Sequence, residues 1–204
     1  MPNLQALQDW ALVTPQQVKT HVRIDNDDDD DLIILLINAA TKKCEDHCRR
    51  AFIQRSVTEN RIGDGGNILL LNKRPVDTLS SITLDGSTLT EDDDFTLYKE
   101  EGYMERPVGT SFWSADITRL SWTKGAKIVI TYTAGYSATR AQAQYEIPEI
   151  ALGVLIAVSN WYENRLGVSQ ESSSGIGSQA FEIGELPEQT KRILGGLQTN
   201  LGIL

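Results

Sequence analysis

A β-rich stretch between two helical stretches constrains this chain more than any other feature of its sequence. From Ser56 to Thr133, short β-branched and apolar runs alternate with turn clusters such as Asp64-Gly65-Gly66-Asn67 and Asp85-Gly86-Ser87. That alternation is typical of antiparallel strands joined by tight turns. It predicts strands at Ile68–Leu71, Leu79–Leu84, Phe95–Tyr98, Ile117–Trp122 and Lys127–Thr133.

The flanking stretches carry helix signals. Thr14 is a suitable N-cap, Pro15 suits the first turn and Gln17 completes a capping box, so the first helix begins here and ends near Arg23. A second helix is predicted from the aspartates at 28–31 to about residue 50, a third from Pro148 to about residue 165, and a short last one after residue 187. The second helix is apolar nearly all round at residues 32–40, a pattern typical of a helix buried on most sides or shared with a partner.

These patterns predict an α+β fold, a helical bundle of about four helices with an inserted small antiparallel β domain. Residues 1–55 and 137–204 would form the helical domain with a C-terminal arm, and residues 56–136 the β domain. The polar stretch Ser169–Ser178 has the composition of a linker that leads into this arm.

The negative charge of the chain is concentrated in two short runs. The net charge is −9, with six aspartates between residues 25 and 31 and four carboxylates at residues 91–94. The rest of the chain is therefore close to neutral. This negative net charge argues against a protein that binds bare nucleic acid, because such binding needs a basic surface. Each run is either a set of charges at a helix start or turn, or a solvated acidic surface.

The sequence also indicates the cellular compartment in which the protein is made. Two cysteines cannot form a disulfide scaffold, the first residues lack a signal-peptide pattern, and the apolar run Ile150–Val158 is too short for a bilayer, which requires about 20 residues. We therefore expect a protein made in the cytoplasm and not bound to a membrane.

Metal sites receive little support from residue spacing. Asp25 to Asp29 offers oxygens like those of a calcium loop, but Asp30 and Leu36 stand where glycine and a bidentate glutamate are needed. Cys44, His47 and Cys48 lie one helical turn apart and could share zinc, although buried cysteines that pack as small apolar groups are more common. The prediction is no metal and no cofactor.

Catalytic patterns are missing as well. The chain has two histidines, no Gly-x-Ser-x-Gly elbow and no phosphate-binding glycine loop. We therefore predict that the protein is not an enzyme. Large aromatic residues such as Trp161 and Tyr162 are either core residues or interface anchors.

The order of segments resembles the head–tail connector (adaptor) proteins of tailed phages. The resemblance lies in residues 12–25 with the aspartates and apolar helix that follow, in Arg74-Pro75-Val76, in residues 128–136, in Pro148-Glu149-Ile150, and in Trp161-Tyr162-Glu163-Asn164-Arg165. It spans residues 12 to 197 and corresponds to the longer members of that family, which carry a β insert.

The resemblance implies a structural virion protein at the head–tail junction. Such proteins form a ring, commonly of twelve subunits, that binds the portal and the neck or tail-completion protein and leaves a channel through which DNA passes without specific binding. On this basis two sets of residues become candidates. The candidate interaction residues are Trp161, Tyr162, Arg165, Lys191, Arg192 and Leu194. The candidate acidic surface or channel residues are Asp27, Asp28, Asp29, Asp92, Asp93 and Asp94.

Two other function classes stay open at this point. One is a metal-binding module or enzyme built on Cys44, His47 and Cys48 with an acidic run. The other is a stand-alone binding module in which the β domain alone recognises a ligand. Bound zinc in the purified protein would favour the first, and a β fragment that folds and binds by itself would favour the second.

Overall fold

The computed structural model describes residues 6–106, 108–110, 117–119, 121–164 and 185–196. The chain divides into two compact units, one made of residues 1–48 and 140–204 and the other of residues 49–139. The described ranges contain five helices, all in the first unit, and nine strands, all in the second. The α+β prediction is confirmed. None of these helices is long and apolar enough to cross a membrane.

The first unit, called the helical unit below, has one helix more than the sequence predicted. Its helices are α1 (Pro15–Val22), α2 (Asp30–Cys48), α3 (Arg140–Glu146), α4 (Pro148–Glu163) and α5 (Glu188–Gly195). Helix α1 begins as predicted: the backbone N–H of Gln17 donates to Thr14 Oγ1 at 3.3 Å, and the N–H of Thr14 donates to Gln17 Oε1 at 2.9 Å. Helix α3 is the one that the sequence did not predict.

Helix α2 carries the longest buried stripe of the helical unit. Ile33, Ile37, Ala40, Cys44 and Cys48 follow helical spacing and are all buried. The predicted all-round burial is only partial, because the side chain of Leu35 on another face of α2 is 47% exposed. The stripe packs against α4 and, over a smaller contact, against α1 and α5.

The segment before α1 is held by polar side chains from α2 and α3. Arg140 Nε donates to the carbonyl of Ala11 at 2.6 Å and Gln144 Nε2 donates to the carbonyl of Leu12 at 2.7 Å. From α2, Thr41 Oγ1 accepts the N–H of Leu12 at 3.3 Å. These bonds satisfy backbone groups that burial of Leu12 would otherwise leave unpaired.

The second unit, called the β unit below, contains three antiparallel sheets. Its strands are β1 (Arg55–Ile62), β2 (Ile68–Leu70), β3 (Val76–Leu84), β4 (Ser87–Thr88), β5 (Thr96–Tyr98), β6 (Tyr103–Glu105), β7 (Val108–Thr110), β8 (Ile117–Arg119) and β9 (Lys127–Ala134). The sheets have the orders β1-β9-β3-β4, β2-β6-β5 and β7-β8. All five predicted strands are present, and β1, β4, β6 and β7 were not predicted.

A single core lies between the four-stranded and the three-stranded sheets. Alternate residues of β9, among them Ile128 and Ile130, enter it from one sheet, and Leu97 and Met104 enter it from the other. The predicted hairpin turn between β3 and β4 is confirmed, with positive φ at Asp85 (48°) and at Gly86 (86°). Two consecutive positive φ values are the geometry of the turn that matches strand twist.

A buried carboxylate on β1 bonds to β9 and to the segment that follows β2. Glu59 on β1 is only 5% exposed, and its Oε1 accepts the hydroxyl of Tyr132 and, at 2.8 Å, the backbone N–H of Asn72. Its Oε2 accepts Arg61 Nε at 3.0 Å. The charge is therefore paired and hydrogen-bonded, which is the condition for stable burial.

Candidate assembly surfaces

The predicted aromatic pair at the end of α4 is half-buried and hydrogen-bonded within the helical unit. The indole N–H of Trp161 donates to the carbonyl of Glu185 at 2.8 Å, in the segment before α5. The hydroxyl of Tyr162 donates to Asp29 Oδ2 at 2.5 Å. Both rings therefore fix neighbouring segments and leave only part of their surface for a partner. Arg165, the third residue of this predicted cluster, lies outside the described residues.

Helix α5 has an exposed side and a buried side. Arg192 is exposed, and Lys191 forms ion pairs with Glu188 at 2.8 Å and Glu185 at 3.6 Å. The hydrogen bond to Glu188 raises the pKa of Lys191, and the same bond lowers the pKa of Glu188. Leu194, in contrast, is fully buried. It therefore contributes to the packing of α5 and is not an exposed anchor within this subunit.

The first acidic run is a set of helix-start contacts with an exposed edge. The Lys19 side chain, 9% exposed, pairs with Asp27 at 2.6 Å and also with Asp30. These hydrogen bonds raise the pKa of Lys19, and the bond from Lys19 lowers the pKa of Asp27. Asp28 is exposed and accepts the Asn26 side-chain amide at 3.0 Å.

The second acidic run forms a tight turn before β5. Asp94 Oδ2 accepts the backbone N–H of Thr90 at 2.8 Å, and its other oxygen lies 3.9 Å from the guanidinium of Arg106. Asp92 has positive φ (72°), and both Asp92 and Asp93 are exposed. Among the predicted acidic residues, Asp27, Asp28, Asp92 and Asp93 are exposed, and the side chain of Asp27 is 89% exposed although it pairs with Lys19.

A groove of about 330 Å³ opens between α2 and the segment that leads into α5. Its lining includes Lys43, Asp46, His47, Leu186 and Lys191. The groove is mixed in charge, and its Lys191 ammonium already pairs with Glu188 at 2.8 Å.

The cysteines of α2 are part of the packed stripe. Cys44 and Cys48 are not joined in a disulfide and are at most 1% exposed. Burial raises the pKa of the Cys44 thiol far above its usual range, which disfavours the thiolate that binds metals. Within the described ranges, no group of three or more His, Cys, Asp or Glu side chains is placed to hold a metal ion.

The outer face of the three-stranded sheet is an exposed apolar surface that the sequence did not identify. We call its four large side chains the tyrosine face: Ile68 (47% exposed), Leu70 (44%), Tyr98 (36%) and the partly buried Tyr103. Leu70, Tyr103 and Tyr98 lie opposite one another in register across β2, β6 and β5. The two tyrosine rings stack with centroids 4.4 Å apart.

Carboxylates surround the tyrosine face. Glu100 and Glu101 are exposed in the turn between β5 and β6, and Glu105 follows Tyr103 on β6 with an oxygen 3.3 Å from the Asn67 amide. Burial raises the pKa of Tyr103, and the nearby Tyr98, Glu101 and Glu105 add to the rise. The sequence signal was the run of four apolar residues at 68–71, which exceeds what one face of a strand can bury.

Both the sequence and the fold have relatives among known proteins. A family model described as Head completion protein matches residues 11–197. A chain from the neck of an empty GTA particle computed with C6 symmetry superposes with a TM-score of 0.62 at 16% identity, covering 96% of this chain and 93% of that chain. A chain from the virion of a native gene transfer agent (GTA) particle gives 0.62 at 14% identity, with the same coverage.

A third solved structure, the neck of a native GTA particle computed with C12 symmetry, gives a TM-score of 0.56 at 16% identity, covering 93% of this chain and 91% of that chain. At these identities the similarity shows a shared fold. A search of curated proteins finds none that matches this chain.

Proposed function

The chain belongs to the head completion protein family, whose model matches residues 11–197, and from this membership we propose that it is a structural protein of the head–tail junction of a tailed-phage or gene-transfer particle. The resemblance to head–tail connectors noted in the sequence is confirmed. One observation carries the proposal: the family model matches residues 11–197, and the neck of the empty GTA particle superposes on 96% of the chain. The helical unit and the β unit therefore both belong to the shared fold.

The proposed assembly is a homo-oligomeric ring that joins the portal to the neck or tail and leaves a channel for DNA. Its support is that two of the related structures are necks with C6 or C12 symmetry. Rotational symmetry of this kind is built from heterologous contacts, in which one surface of a subunit binds a different surface of the next. We take the ring to have twelve subunits.

The acidic runs suit a surface beside the DNA channel. Asp28, Asp92 and Asp93 are exposed, and the described basic side chain nearest the first run, Lys19, is already paired with Asp27. Carboxylates on a channel wall repel phosphates, so DNA would pass without being held. We propose that at least one of the two runs has this role.

The helical unit would be the connector domain, with the β unit inserted into it, and its C-terminal part would bind the portal. Helix α5 offers Arg192 on its exposed side, and α4 offers the free edge of Trp161. The role is structural and does not involve catalysis. No described residue gives the metal-module alternative a ligand set.

Assembly with the purified portal of the same particle tests this function. The protein is mixed with portal rings, and the mass and symmetry of the complex are measured by mass photometry and cryo-electron microscopy. We expect a ring of this chain stacked coaxially on the portal. A protein that stays monomeric at every concentration and leaves the portal unchanged in mass would refute the proposal.

A charge-reversal pair locates the portal contact. Arg192→Glu on α5 is expected to weaken portal binding at least tenfold, whereas Lys42→Glu, an exposed control on α2, is expected to leave it unchanged. Equal binding by both variants would move the portal contact away from α5.

A further inference from the structure

The tyrosine face has the properties of a protein-docking surface. Three of its four large side chains are 36–47% exposed, and they form a continuous patch on the solvent side of one sheet. Contiguous apolar patches of this kind on a soluble protein mark interaction sites. Stacked tyrosines add a rigid apolar body with hydroxyls that can hydrogen-bond, which is typical of interface anchors.

The charge around this face restricts what can cover it. Glu100, Glu101 and Glu105 flank the apolar centre and outnumber the two cations beside it. Lys99 donates to the carbonyl of Asp77 at 3.1 Å, and Arg61 donates to the carbonyl of Leu70 at 3.2 Å. Nucleic acid is disfavoured here by like-charge repulsion. A complementary surface needs an apolar centre flanked by cations.

The same unit carries such a surface, which we call the lysine end: Ile62, Lys124 and Lys127. Ile62 is 66% exposed, more than any other large apolar side chain described in the β unit. It lies opposite Lys127 in the β1–β9 register, so both side chains project from the same face of the sheet. Lys124 is exposed in the adjoining turn, which is tightly packed: a Cβ on Gly63 would lie 2.1 Å from the carbonyl oxygen of Thr123.

The two carboxylates near the lysine end are engaged in its turns. Asp64 accepts the backbone N–H of Gly66 at 2.8 Å, and Asp85 accepts the backbone N–H of Lys127 at 2.7 Å. The ion pairs between described residues include neither of these carboxylates and neither the Lys124 nor the Lys127 ammonium. Both ammonium groups can therefore approach carboxylates on another molecule.

The tyrosine face and the lysine end lie on opposite sides of the β unit. Residues that alternate with the tyrosine face, Leu97 and Met104, enter the same core as Ile128 and Ile130, which alternate with Lys127 on β9. Each sheet turns its inner face to that core, so the two outer faces point away from each other. Complementary surfaces on opposite sides of a unit pair heterologously, and such contacts form a ring when the rotation between neighbouring subunits closes.

We propose that the tyrosine face of one subunit binds the lysine end of a second copy of this chain, so that the β units form a continuous belt around the ring. The inference rests on the proposed ring and names the surfaces that join neighbouring subunits. Ile62 would pack on Leu70 and Tyr98 of the adjacent copy, and the lysines would meet Glu101 and Glu105.

Disulfide crosslinking of the full chain tests this pairing. In a Tyr98→Cys/Ile62→Cys double variant, oxidation under ring-forming conditions with the portal is expected to give a ladder of dimers, trimers and higher species on non-reducing gels. Intramolecular closure is prevented because the two positions lie on opposite sides of the unit. A control pair, Tyr98→Cys/Leu152→Cys, places the second cysteine on another exposed apolar residue, on α4 (47% exposed against 66% for Ile62), and is expected to give no ladder.

Charge reversal provides an independent measurement on the uncrosslinked protein. Glu101→Lys and Lys127→Glu are each expected to weaken subunit association at least tenfold by mass photometry, and the combined variant is expected to recover most of that loss. Two results together would overturn the pairing while leaving the proposed ring intact: normal rings in both single charge variants, and no ladder from the Tyr98→Cys/Ile62→Cys variant. A wild-type chain that forms no ring with the portal would instead overturn the proposed function itself.

Discussion

Replacing Leu194 with alanine tests whether α5 belongs to the core of the helical unit or is a detachable arm. Leu194 is fully buried, and two further contacts seat α5 on α4 at Gly153. Thr190 Oγ1 donates to the Gly153 carbonyl at 3.1 Å, and Ile193 Cγ2 lies 3.5 Å from the position that a Cβ on Gly153 would occupy.

The expected loss follows from this burial. Truncating a buried leucine removes its transfer free energy and leaves a cavity, which together cost about 2–5 kcal/mol. For Leu194→Ala on this short helix we expect a loss near the middle of that range, about 3 kcal/mol. Each 1.4 kcal/mol corresponds to a factor of ten, so this loss corresponds to about a hundredfold in the opening equilibrium.

Hydrogen exchange measured by mass spectrometry reports the local opening of α5. Amides of α5 and of the facing part of α4 are expected to exchange about a hundredfold faster in Leu194→Ala, whereas those of the β unit should not change. Arg192→Ala, on the exposed side of the same helix, is the matched control and should alter exchange little. Unprotected α5 amides in the wild-type protein, or equal exchange in both variants, would show that α5 is an arm.

Three further perturbations follow from individual contacts. Thr14→Ala removes the capping box of α1 and is expected to cost about 1 kcal/mol of unfolding free energy in urea denaturation; no change would show that the cap is redundant. Tyr132→Phe removes the hydroxyl that donates to buried Glu59 and is expected to cost about 1–3 kcal/mol, and an unchanged denaturation midpoint would contradict the role assigned to this bond. The pKa of Asp27 is lowered in the folded protein, so its contribution to stability is present above the unfolded pKa, near 4, and is lost as the pH falls through the folded pKa. Lys19→Met removes this contribution, and acid unfolding of the variant should therefore begin at a higher pH than that of the wild-type protein. Coincident acid transitions would show that the Lys19–Asp27 pair does not stabilise the fold.

Local signals predicted the elements whose cause is local. The capping box at Thr14 and the Asp85-Gly86 turn depend on residues within four positions of one another, and both are present. Such features can be read from a single sequence because the interacting groups are neighbours in it.

Elements that depend on distant residues were not predicted. Strand β1 places Glu59 and Arg61 towards the core, which breaks the expected polar pattern and is stable only because Tyr132 and Asn72 supply partners. Helix α3 has no apolar stripe and is held by bonds such as that of Gln144 to residue 12. Neither set of partners is visible until the fold has brought the two segments together.

The candidate surfaces also include features that the sequence could show and features that depend on the folded structure. Counting charges identified the acidic runs, but it could not show that Lys19 pairs with Asp27 and Asp30 across the α1–α2 turn. Leu194 became an interaction candidate because the resemblance implied a C-terminal arm, and the structure buries it in a helix that packs on α4 and α2. The tyrosine face became visible only with the strand register, because register decides which residues of β2, β5 and β6 share a side.

The bonds that hold the segment before α1 also set an order of events during synthesis. Arg140 and Gln144 contact residues 11 and 12 across sequence separations of 129 and 132 residues, so the helical unit cannot close until α3 has left the ribosome. Helices α1 and α2 emerge first and then wait for the 91 residues of the β unit, about 5–20 s at ordinary elongation rates. Throughout that interval the buried stripe of α2 has no partner from α4. The β unit has its own core and can fold during the wait, so the nascent chain passes through a state in which its middle is native and its first helices still expose apolar surface.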